Sequence, residues 1–133
     1  IVDFFYLFPH FLNEIESWPR GFTSFKKYLK EINEPFENTP NKKKLFSELE
    51  HIQNQAVMQL AARGIISVVR LKEGYVQLEV DKLPESILSC VGDDSFNKSS
   101  TFRVLVDGIC KFPWSGIGGL KKRSGLMEFK YDE

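Results

Sequence analysis

The chain is poor in the residues on which small enzymes and stapled domains depend. Of its 133 residues only two are cysteine and two histidine, and acids and bases cancel to a formal net charge of zero. Cys90 and Cys110 form no C-x-x-C pair and sit in apolar stretches, so a disulfide framework is not expected and buried, reduced thiols are. His10 and His51 have no partner at metal-ligand spacing. With no excess of positive charge, the simplest argument for a nucleic-acid or membrane-surface protein falls away. No apolar run approaches the roughly 20 residues that span a bilayer. Asp3 among the leading aromatics argues against a secretory leader. A cytoplasmic protein without membrane association is the expectation. The chain opens at Ile1 rather than methionine, which fits a processed or trimmed start.

Catalytic signatures are equally thin. No nucleophile motif marks a Ser-His-Asp or Cys-His set. Asp93 and Asp94 are paired acids in a polar loop, where carboxylates are usually solvated. The stretch from Gly116 to Lys121 fails as a phosphate cradle, because Lys121 stands where a P-loop needs its second glycine. A flexible hinge before a short C-terminal element is the plainer reading. Neither an enzyme nor a cofactor-binding or metal-binding protein is expected.

What the chain does hold is an ordinary globular composition, 42% hydrophobic and 27% charged. Its length predicts one domain over 1–133, able to bury a core without staples. Aromatic residues are skewed forward, with Phe4, Phe8, Phe11, Leu12 and Ile15 at helical spacing and Asp3 as the N-cap. Pro9 either kinks that helix or opens a new one. Phe22, Phe25, Leu29 and Ile32 form the stripe of a second helix, capped by Thr23 or Ser24. Residues 1–40 therefore read as aromatic helices.

Residues 41–91 read as a winged-helix-like segment. Leu45, Leu49, Ile52, Ala56 and Leu60 predict one inward-facing helix, or two if it breaks near residues 51–54 with Asn54 as the second cap. Gly64 suits a helix C-terminus. Val68, Val69 and Leu71, then Tyr75, Val76, Leu78 and Val80, alternate around Lys72-Glu73-Gly74 as a β-hairpin. A short helix from Pro84 to Val91 follows. Residues 92–133 read as a polar loop, a helix through Phe102, Leu105, Val106 and Ile109 (a strand being the alternative), and a Gly-rich tail. The expected fold is α+β, mostly helical, with one hairpin.

Winged helices bind nucleic acid or other proteins. For nucleic acid, Asn54, Gln59 and Arg63 would read bases from the helix, while Arg70 and Lys72 would meet phosphates from the wing. Residues 42–80 carry six basic and four acidic residues, too slight a surplus for strong backbone binding, so at most a weak DNA contact is expected. A protein adaptor is the stronger expectation. Its contacts would come from the aromatic N-terminus and from the tail: Leu120, Lys121, Lys122, Arg123, Leu126, Met127 and Phe129. Homo-oligomerisation is compatible with the same features.

Three segments together carry a family resemblance: DFFYLFPHFL at 3–12, NEPFENTPNKKKLFSELEHIQNQA at 33–56 and KKRSGLMEFKYDE at 121–133. The chain resembles the middle-component family of bacterial ABC-three-component systems over nearly its whole length. That resemblance implies a bacterial cytosolic accessory protein that docks on an SMC-like ATPase in a defence system. It implies no catalytic or cofactor-binding residue.

Overall fold

Proline decides the first turn of the fold. Helix α1 (Val2–Leu7) stops at Phe8, which takes φ −127° and ψ 66° because the ring of the next residue disfavours helical geometry before it. Pro9 then occupies the first position of a 3₁₀ helix over Pro9–Glu14, where its missing N–H costs nothing. The computed structural model describes residues 1–36, 39–114, 116 and 118–126. They divide into two compact units, one of residues 1–47 and 95–133, the other of residues 48–94.

In the first unit a 3₁₀ turn (Arg20–Phe25) runs into α2 (Lys26–Leu29). The opening turns of α3 (Lys42–Ala62) belong here, with the Lys43 amide donating to Asn41 Oδ1 at 2.9 Å. After a 3₁₀ turn at Phe96–Lys98 comes α6 (Ser100–Arg103), capped by Ser99, whose hydroxyl oxygen accepts from the Phe102 amide at 3.1 Å. The segment is helical, not a strand. It continues through a π-helical turn (Val104–Gly108) and a 3₁₀ turn (Ile109–Lys111). Helix α7 (Leu120–Ser124) ends on Gly125 at φ 64°, a left-handed cap.

The aromatic surplus goes into this unit's core. Phe4, wholly buried, has the rings of Phe5, Phe8, Phe11 and Phe46 at 5.3–5.7 Å. A second cluster brings Trp18 and Phe22 to 5.3 and 5.0 Å from Phe112. Leu12, Ile15, Leu29, Val104, Leu105, Ile109, Leu120 and Leu126 are buried with them.

The second unit corrects the expected α+β class. Among the described residues no strand forms; the nearest approach is an isolated antiparallel bridge between Ile66 and Leu78. Val68 to Lys72, expected as the first hairpin strand, is helix α4. The Leu71 amide donates to the Ser67 carbonyl at 2.9 Å, and Arg70 pairs with Glu73 one turn on. Gly74, at φ 85°, turns the chain back, and residues 75–79 return extended, with the Glu79 amide donating to the Ile65 carbonyl at 2.8 Å. A lone two-stranded ribbon with no third strand is marginal in water, and the β preference of two valines is small enough for one helical turn to overrule. α3 is a single 21-residue helix, without a break at residues 51–54. Helix α5 (Glu85–Asp93) starts after Pro84 and runs two residues past Val91.

Candidate partner-docking surface

Helix α3, α4, the extended return and α5 enclose very little. Of residues 48–94 only Ala61, Ile65 and Ile66 are buried. Eleven large apolar side chains are exposed instead: Ile52 and Met58 on α3, Val68 and Val69 on α4, Tyr75, Val76, Leu78 and Val80 on the return, and Ile87, Leu88 and Val91 on α5. Ile52, expected to face inward, is 59% exposed. Two causes combine. The short elements present no broad second layer, and without a sheet the return segment loses the face against which its apolar residues would pack. Around Met58, 64% exposed, the α3 residues His51, Asn54, Gln55 and Gln59 frame an open depression of about 440 Å³. Exposed apolar surface marks an interaction site where it forms a contiguous patch.

Charge reinforces the distinction. This unit holds Arg63, Arg70, Lys72 and Lys82 against Glu48, Glu50, Glu73, Glu79, Asp81, Glu85, Asp93 and Asp94. It is net acidic, and because the chain is neutral the other unit has the matching excess of Lys and Arg. The unit's surface thus combines exposed apolar side chains with a net acidic charge.

Of the candidate base-reading residues, Asn54 and Gln59 are exposed on α3 and Arg63 is exposed in the turn just after it. Arg70 is occupied locally: its guanidinium pairs with Glu73, donates to Gln77 Oε1 at 3.2 Å and lies 4.8 Å from the Tyr75 ring centre. Lys72 is exposed at the end of α4. The wing that was to carry both residues is absent, and the unit bearing all five is acidic, opposite to what a phosphate backbone selects.

The tail residues separate into core and surface. Leu120 and Leu126 are buried in the first unit, because the Leu120 amide is fixed on the Pro113 carbonyl at 2.8 Å and Gly125 reverses the chain after α7. The Arg123 guanidinium donates to the Gly118 and Glu16 carbonyls. Lys121 lies 6.0 Å from the Trp114 ring, and Lys122 is exposed. Met127 and Phe129 lie outside the described residues. The N-terminal aromatics Phe4, Phe5, Phe11 and Trp18 are core residues, which leaves Tyr6 and Leu7 on the surface of α1.

Both cysteines are free and exposed, contrary to the expected buried thiols. Partial desolvation nevertheless pushes the Cys110 thiol up, with neighbouring Lys111 acting in the opposite sense. At a given pH its thiolate fraction is therefore reduced, and the thiolate is the reactive form. Alkylation of Cys110 by iodoacetamide, followed by mass spectrometry across a pH series, should have its midpoint displaced to higher pH relative to a cysteine in a short unstructured peptide. A coincident midpoint would show that the thiol is fully solvated.

Among the described residues no group of three or more His, Cys, Asp or Glu is arranged to hold a metal ion, and no helix is long and apolar enough to cross a membrane. Residues 1–132 match the family of ABC-three component (ABC-3C) system Middle Component 5. The chain belongs to that family. No curated protein and no solved structure matches it. A middle component is one part of a multi-component system, which agrees with an accessory subunit that has protein partners.

The apolar face of residues 48–94 is the feature of this ABC-3C middle component that sequence reading missed. One signal was available: Met58 lies on the side of α3 opposite the stripe of Leu45, Leu49, Ile52, Ala56 and Leu60. The eight acids between residues 48 and 94 were another.

Proposed function

We propose that this chain is a non-catalytic accessory subunit that docks, through the apolar and acidic surface of residues 48–94, on an SMC-like ATPase of the same three-component system in the bacterial cytoplasm. The exposure of eleven large apolar side chains on a unit that buries three supports this reading. The complementary face on the ATPase would be apolar with a basic rim, since opposite charge around an apolar centre steers association and fixes register. A role in defence against mobile elements fits the family but adds nothing to the geometry.

Met58→Glu places a charge in the middle of the α3 depression. Because Met58 is exposed, the change should leave folding within about 0.5 kcal/mol of the parent. Affinity for the co-encoded ATPase, measured by titration of the purified proteins, should fall at least about 30-fold, the loss that defines a hot-spot residue. Unchanged affinity for Met58→Glu and for Ile87→Glu on α5 would remove this surface from the interface.

A further inference from the structure

Four of the first unit's Lys and Arg residues border a groove. Two adjoining depressions of about 510 and 330 Å³ share Tyr28, Arg103 and Asp107. Lys98 borders the first, and Lys27 and Lys111 border the second. Helix α2 supplies Lys27 and Tyr28, the turn before α6 supplies Lys98, α6 supplies Arg103, and the following turns supply Asp107 and Lys111.

The acids present do not neutralise these four cations. Asp107 is shared by Arg103 at 3.9 Å and Lys111 at 3.1 Å. Glu31, at the edge, accepts the Ser100 hydroxyl. Lys27 and Lys98 have no carboxylate partner among the described residues. The floor is aromatic: Phe102 lines the groove, and the half-buried Tyr28 ring has the Lys27 ammonium 4.8 Å from its centre. The helix is widened beside the groove by the π-helical turn that carries Val106 and Asp107, a device common at functional sites.

We infer that this groove binds single-stranded nucleic acid. Lys27, Lys98, Arg103 and Lys111 would meet successive phosphates while a base rests on Tyr28. A cationic track interleaved with rings is the combination that holds single strands without regard to sequence. An acidic peptide would use the cations but not the rings. The inference is independent of the docking proposed for residues 48–94, because it uses none of their side chains.

The test is fluorescence anisotropy of a labelled mixed-sequence oligonucleotide titrated with the full chain. With Asp107 offsetting one cation, three phosphate contacts give a single-strand affinity that falls about 20-fold between about 50 and 200 mM salt. The triple variant Lys27→Gln, Lys98→Gln, Lys111→Gln alters only exposed side chains; circular dichroism should be unchanged and the salt dependence should be lost. Tyr28→Leu should weaken binding about tenfold with the salt slope intact. A matched variant of the other unit, Arg63→Gln, Arg70→Gln, Lys72→Gln, should bind like the parent. The inference is overturned by no binding at the lowest salt, by equal displacement with polyglutamate or inorganic phosphate, or by binding lost in the Arg63 set and kept in the Lys27 set.

Discussion

Phe4→Ala should lower the stability of the first unit by about 3–5 kcal/mol, the range for deleting a fully buried ring. Phe4 is wholly inaccessible and meets four other rings, stacked on Phe11 at 5.4 Å and edge-on to Phe46 at 5.7 Å. Ring pairs of this geometry add about 0.5–1.5 kcal/mol each beyond their buried area, which places the loss toward the upper end. Phe46 lies on the first turns of α3, so truncation of Phe4 also removes the ring that meets that helix. Chemical denaturation followed by near-ultraviolet circular dichroism reads this cluster directly. Phe4→Leu, which retains most of the volume, should recover over half of the loss. A loss below about 1 kcal/mol for Phe4→Ala would mean that the aromatic cluster does not form the core.

Leu120→Ala should cost about 2–5 kcal/mol, whereas Lys122→Ala, two residues along the same helix, should change stability by less than about 0.5 kcal/mol. Leu120 is fully buried and Lys122 is exposed. The contrast bears on function. If tail residues were purely a partner-binding arm, both substitutions would leave folding alone. Removing residues 116–133 should instead unfold the first unit, because the deletion takes Leu120 and Leu126 out of the core. Loss of partner binding in that truncation would then report unfolding, and only surface changes such as Lys121→Ala and Lys122→Ala test a tail contact. Equal stability of the Leu120→Ala and parent proteins would show that α7 is detachable.

Much of the first unit was legible in the chain. The spacing of Phe4, Phe8 and Phe11, the break at Pro9 and the helical run through Phe102, Leu105 and Ile109 each act through neighbours within a turn or two. The helices form there, although Ile1 rather than Asp3 caps the first, Phe25 rather than Thr23 or Ser24 precedes α2, and Phe8 separates α1 from the turn at Pro9. Helix α4, in place of the expected hairpin strand, was not legible, since Val68, Val69 and Leu71 suit a strand and also fit one turn of helix. Periodicity over five residues cannot choose between them. The groove was missed for another reason: Lys27, Lys98 and Lys111 are far apart in the chain and become neighbours only when α2 and α6 pack together. The window of residues 42–80 used to judge charge also straddled the two units, and so averaged Lys42, Lys43 and Lys44 of one with the acids of the other.

The amino-acid sequence by itself determined family membership, the predominance of helix, and the positions of the Pro9, Gly64 and Pro84 breaks, because these depend on local backbone preference and on side-chain pattern. Which apolar residues are buried and which remain on the surface, and whether neutral overall charge means a neutral surface, depended on which segments pack together. Burial and electrostatic potential are sums over neighbours in space, and the chain order alone does not supply those neighbours.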